Sequence, residues 1–262
     1  MQQTETPALV LQTRPWRETS LIVELLTRSR GRIGAIVRGA KRKGRSESAN
    51  LQPGALINAR LSIRPQVSLA TLTGVDPVQP PPAVRARRAG LSDPAGLLAR
   101  SAWAGLYGEI LHQSRENDPH AETLFDTARQ FFQELGETPH PGSAALSGLF
   151  LLLQAFGFGL DLSDTRSGVE DNIEIDLLAG TYLTTHESPG HGRRAAFVLS
   201  PKAFNALIHL LQKGVKEETP FVPRSAGPEI ARLLVALFEA QLETRLRSAR
   251  YLEEMVLRPM ET

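Results

Sequence analysis

The 262-residue chain contains no cysteine. It therefore has no disulfide framework, no thiol nucleophile and no thiolate ligands for zinc. No apolar run approaches the ~20 residues that a bilayer-spanning helix requires. The opening Met1-Gln2-Gln3-Thr4-Glu5 lacks the basic and then apolar segments of a secretory signal, so a cytoplasmic protein is expected. Aromatic residues are scarce, 6% of the chain, and Trp16 is the single one within residues 1–90. Enzyme signatures are missing too. Gly34 and Gly39 have the spacing of a phosphate loop, but Ala40 stands where its lysine belongs. Neither a GxSxG turn nor an HExxH helix occurs.

Acidic residues are also scarce in one half. Residues 1–90 hold 15 Lys/Arg against 5 Asp/Glu, and residues 91–262 hold 15 against 23, so balances of +10 and −8 make up the net +2. Such asymmetry suggests two functional units, one of them suited to a polyanion.

The basic half has the period of β structure. Residues 7–11, 21–26, 32–38, 54–64 and 67–72 form five short apolar runs. In the third, Ile33, Ala35 and Val37 share one face; in the fourth, Ile57, Ala59, Leu61 and Ile63 do. Five strands with turn signals between them predict a small barrel. Pro80-Pro81-Pro82 cannot continue a sheet, which places a boundary there. Arg85-Ala86-Arg87-Arg88 either begins the helical part or remains a basic tether. From Asp93-Pro94 the period becomes helical, with helices expected to about His112, over 143–156, from Pro201 to Leu211, and from Pro228 to Leu242. Residues 172–199 suggest irregular or short β structure. The expected organisation is α+β in two domains: a five-stranded barrel over 1–76, a Pro/Arg-rich linker over 77–91 and a mostly α-helical, protein-binding domain with a small irregular β insert over 92–262.

Metal chemistry finds little support. His186 and His191, with Glu187 between them, lack the further ligands of a closed site, and a surface loop accounts for them better. Asp161, Asp164, Glu170, Asp171, Glu174 and Asp176 are spaced too irregularly for a two-metal carboxylate cluster; a solvated face is the better account.

The basic residues gather at loop positions. Arg38, Lys41, Arg42, Lys43 and Arg45 put five cations within eight residues. Like charges this dense repel one another, which an anionic partner relieves, although a solvated basic loop is the alternative. Arg14 and Arg17 flank Trp16, and Arg28, Arg30 and Arg32 crowd the next connection, so three barrel loops together offer a positive groove. A single tryptophan among arginines implies contact through phosphates with little sequence readout. Trp16 either stacks on a base or packs at the barrel edge.

Several segments, in order, resemble the RecO family of bacterial recombination mediators in the RecF repair pathway. They are Ala8-Leu9-Val10-Leu11, Arg14-Pro15-Trp16-Arg17-Glu18-Thr19-Ser20, Gly31-Arg32-Ile33 and Val37-Arg38-Gly39-Ala40-Lys41-Arg42. Gly157-Phe158-Gly159-Leu160-Asp161-Leu162 and Leu246-Arg247-Ser248-Ala249-Arg250 continue the match toward the C-terminus. The resemblance implies an N-terminal OB-fold and a helical C-terminal domain. It implies binding of single- and double-stranded DNA, strand annealing, and help in loading RecA onto strands coated by single-strand-binding protein, without enzymatic turnover. RecR and the acidic tail of the coating protein are the implied protein partners, in the cytoplasm at the nucleoid. The expected DNA contacts are Arg14, Trp16, Arg17, Arg32, Arg38, Lys41, Arg42, Lys43 and Arg45; Arg100, Arg115 and Arg129 are candidates for the tail. Many members hold a zinc in four cysteines, but Thr165 stands about where the first would fall. No metal or other cofactor is expected, and apolar packing around 149–183 takes the metal's place. An RNA-binding OB protein and a metal-dependent nuclease using Asp171 or Asp176 are the alternatives.

Overall fold

The sharpest alternation in the chain, Ile33, Ala35 and Val37, forms strand β3 (Gly31–Val37), whose three apolar side chains join the core of a closed five-stranded barrel. The computed structural model describes residues 2–41, 50–64, 67–160, 162, 170–183, 196–213 and 222–258. The other barrel strands are β1 (Gln2–Trp16), β2 (Ser20–Thr27), β4 (Leu56–Ile63) and β5 (Ala70–Gln79). Their order is β1-β2-β3-β5-β4, with β4 closing antiparallel on β1. A short parallel contact, Ala35 with Ala70 and Ile36 with Thr71, joins β3 to β5. This is the expected OB-fold arrangement.

Strand β1 is much longer than its apolar run because it serves two partners. Its N-terminal part pairs with β4, its C-terminal part with β2, and a bulge at Leu11 bends the strand between Val10 and Gln12. Strand β2 does not alternate. Leu21, Val23 and Leu25 face the barrel core, while Ile22 and Leu26, with Leu9 and Leu11 of β1, are buried on the outer side. A strand that is apolar on both faces needs a second layer. Helices α2 (Pro94–Leu111) and α3 (Ala121–Glu137) supply it. Gly108 lets α2 approach closely, since a Cβ there would lie 2.4 Å from the Leu11 carbonyl oxygen.

The expected linker over 77–91 is instead part of a packed unit. β5 continues to Gln79, and Pro82–Arg88 forms helix α1, opening on its proline. Arg85 donates to the Phe132 and Gln133 carbonyls at 2.7 Å each and to Gln79 at 3.0 Å. The chain divides into two compact units between Pro139 and His140, so α1, α2 and α3 belong with the barrel. The apolar outer side of β1 and β2 is the physical reason. Arg100 shares the task of Arg85: it is buried and donates to Leu135 at 3.0 Å and Thr138 at 2.5 Å. The last turn of α3 has no basic residue of its own, and these two guanidinium groups satisfy its end carbonyls. Burial pulls both below their usual basicity.

The second unit contains α4 (Pro141–Ala155), α5 (Pro201–Lys213), α6 (Gly227–Gln241) and α7 (Arg247–Leu252), the last running into a π-helical turn at Glu253–Leu257. Strands β6 (Ile173–Asp176), β7 (Thr181–Leu183) and β8 (Ala196–Leu199) form an antiparallel sheet in the order β7-β6-β8. Gly157, at φ 79°, ends α4: its N–H bonds the Gln154 carbonyl, and that of Phe158 bonds Leu153. This turn places Phe158 beside Phe156 and Phe238, with ring centroids 5.8–6.4 Å apart. The buried Asp176 carboxylate accepts from the Leu178 and Ala179 amides, closing the turn between β6 and β7.

Candidate nucleic-acid interface

The hairpin joining β1 to β2 closes at the Trp16–Ser20 pair, and Arg17 turns it with a left-handed φ of 53°. The chain leaving β3 returns to this hairpin, where the Lys41 amide donates to the Thr19 carbonyl at 3.1 Å. Trp16, Arg17, Arg38 and Lys41 therefore share one end of the barrel. Register brings Arg14 to the same face. Arg14 pairs with Ile22 and Ile22 with Ile36; one step on, Trp16 pairs with Ser20, and Arg38 follows the Leu21–Val37 pair. Successive side chains alternate in direction, so the outer face carries Arg14, Trp16, Ile36 and Arg38 on strands about 4.8 Å apart. Arg14, Arg17, Arg38 and Lys41 are exposed, and Trp16 is 39% exposed. Its surface is open to stacking.

The third basic connection does not join them. The hairpin between β2 and β3 lies at the other end of the barrel, and its cations have partners there. Arg28 contacts Glu122 at 2.6 Å and Asp126 at 3.0 Å. Arg30 donates to Gln2 at 3.1 Å. Arg32, expected as a DNA contact, donates its Nε to the Ser114 carbonyl at 3.0 Å and pairs with Glu24 at 3.2 Å. It ties β3 to the end of α2 and is set apart from the group around Trp16. The expected three-loop groove thus becomes a two-loop surface at one end. Arg42, Lys43 and Arg45 lie outside the described residues.

Glu24 sits on the same outer face, buried, one row below Arg14. His112, which ends α2, brings its Nδ1 to 3.9 Å from the Glu24 carboxylate. Burial lowers the basicity of His112; Glu24 raises it, Arg32 and Arg14 lower it, and Glu109 raises it. No sequence signal linked His112 to the barrel, because the pairing depends on how α2 lies across β1 and β2. The face formed by β4, β5 and the start of β1 is different. Asn58 donates to Glu5 at 2.6 Å and Arg60 pairs with Asp76 at 2.8 Å, so that side carries carboxylates as well as a cation.

The residues considered for other tasks are placed as follows. Arg100 is internal, whereas Arg115 and Arg129 are exposed. Among the described residues, no three His, Asp or Glu side chains gather as a metal site. Asp161, Asp164, Thr165, His186, Glu187 and His191 lie outside those residues. Among the described residues, no helix is long and apolar enough to cross a membrane.

A family model described as "Recombination protein O N terminal" matches residues 1–81, which span the barrel. The DNA repair protein RecO of Anaeromyxobacter sp. (strain K) is 30% identical over 263 residues, covering 97% of this chain and 98% of its own. The chain belongs to the RecO family. Further RecO proteins match over shorter stretches: that of Phenylobacterium zucineum is 36% identical, covering 64% of this chain and 65% of its own, and that of Alkalilimnicola ehrlichii is 35% identical, covering 62% and 58%. Membership places the chain among DNA repair and recombination proteins. In this RecO-family chain, Arg14–Ser20 and Val37–Lys41 of the resembling segments lie around Trp16, Gly31-Arg32-Ile33 lies at the other end of the barrel, Gly157 ends α4 and Leu246 precedes α7.

Proposed function

We propose that this chain is a recombination mediator that acts by binding rather than by catalytic turnover. It holds single- and double-stranded DNA by the phosphate backbone, anneals complementary strands and helps RecA onto strands coated by single-strand-binding protein. RecR and the acidic tail of the coating protein are its protein partners in this reading, and the nucleoid is its place of work. The observation that carries the DNA-binding part is the gathering of Arg14, Arg17, Arg38 and Lys41 about exposed Trp16 at one end of the barrel. Arg42, Lys43 and Arg45 follow Lys41 directly and are assigned to the same contact.

The mechanism is electrostatic. Cations that neutralise phosphates release condensed counterions, and two complementary strands held this way repel each other less. One exposed indole offers a sequence-tolerant stacking platform of about 1–3 kcal/mol. The test is fluorescence anisotropy of labelled single-stranded DNA at several salt concentrations, without metal or nucleotide, followed by annealing of complementary strands. Binding should weaken steeply with salt, and the emission of Trp16 should change while that of buried Trp103 does not. Absence of binding at low salt overturns the reading.

A further inference from the structure

His112 occupies an unusual position. Its Nδ1 is shut from solvent without a hydrogen-bond partner, although the side chain as a whole is 35% exposed. The charged groups acting on it come from every neighbouring element: Glu24 on β2, Arg32 on β3, Arg14 on β1 and Glu109 on its own helix. Glu24 Oε2 is already held by Arg32 at 3.2 Å, and His112 stands off at 3.9 Å. The ring also closes the C-terminal end of α2, where the helix dipole favours a cation. A proton on His112 therefore has a carboxylate and a helix end to receive it, and is opposed by burial and by two arginines.

We infer that DNA binding is coupled to proton uptake at His112: a backbone phosphate docked on Arg14 cancels a positive charge beside the ring, and the protonated ring then donates from Nδ1 to Glu24. This rests on the nucleic-acid reading of the Arg14 surface and adds a chemical consequence to it. Arg14 and Glu24 are diagonal neighbours across the β1–β2 pair, with backbones about 7–8 Å apart, close enough for such coupling in a partly desolvated site. The bound protein carries one more charge-assisted contact between barrel and helix than the free protein does. DNA binding then tightens as the pH falls, and the joint between β2 and α2 stiffens when DNA arrives.

The test uses the full chain and an oligothymidylate, whose bases do not titrate between pH 5.5 and 8. Calorimetry in buffers of different ionisation enthalpy reads protons taken up per molecule bound. The wild-type protein should take up a fraction of one proton near pH 6.5. Its affinity should rise several-fold more between pH 7.5 and 6 than that of His112→Gln, bounded by about tenfold per pH unit for a single linked proton. His112→Gln should bind without this uptake. Should that variant fold poorly, Arg14→Gln serves instead, since it removes the coupled charge and should abolish the uptake while Arg38 and Lys41 retain weaker binding. Equal proton uptake by wild type and variant overturns the inference and leaves the DNA-binding reading intact. No binding by the wild type at any pH overturns both.

Discussion

Replacing Arg14, Arg38 and Lys41 together by alanine tests whether the Trp16 end of the barrel is the DNA path. Each phosphate neutralised on a single strand contributes about 0.7 to the slope of log affinity against log salt. The three residues lie on one face and one loop of the same barrel end, so each reaches the backbone independently. Their loss should flatten the slope by about 2. Between about 50 and 200 mM salt, a fourfold change, that difference corresponds to roughly 20-fold: the gap in affinity between wild type and variant narrows by about that factor as the salt rises. Arg42, Lys43 and Arg45 are present in both proteins and cancel in the comparison. The control is Arg28→Ala with Arg30→Ala, at the opposite end, where both cations already have partners. This pair should leave the slope unchanged. Anisotropy titrations at four or five salt concentrations, with thermal melts to confirm folding, read both. If the triple variant keeps the wild-type slope, or the control flattens it equally, the positive surface is elsewhere and the assignment fails.

A fragment ending at residue 76 should fail to fold, whereas one ending at Pro139 should melt cooperatively, as circular dichroism would show. The shorter piece uncovers the outer sides of Leu9, Leu11, Ile22 and Leu26, at roughly 1.5–3 kcal/mol each, which together rival a domain's whole stability of about 5–15 kcal/mol. Gly108→Ala should lower stability by about 1–3 kcal/mol in urea denaturation, because its Cβ meets the Leu11 backbone; a neutral result would show that α2 can shift outward freely. His112 is less basic folded than its ordinary value near 6.5, so the unfolded chain binds more protons in that range. Its contribution to stability is therefore full above about pH 6.5 and is lost as the pH falls toward the lower folded value. Melts from pH 7.5 to 5.5 should show a smaller acid loss for His112→Gln than for the wild type.

The sequence by itself determined the barrel, the change to helices after the prolines, and the excess of cations in the first half. Those features have short-range causes: alternation with a period of two, the missing amide of proline, and composition. It also carried a signal that went unread. Leu124, Phe125, Ala128, Phe131, Phe132 and Leu135 recur with the helical period of α3, and the unbroken apolar run of β2 already asked for a cover on its outer side. Tertiary structure alone decided the rest. Only packing assigns α1, α2 and α3 to the barrel and makes Arg85 and Arg100 caps for a helix far along the chain. Only strand register separates Arg14, Trp16, Arg38 and Lys41 from Arg28, Arg30 and Arg32, cations that are equally dense in sequence. Whether an arginine is available to a phosphate depends on which acids and carbonyls stand beside it, and those neighbours come from distant parts of the chain.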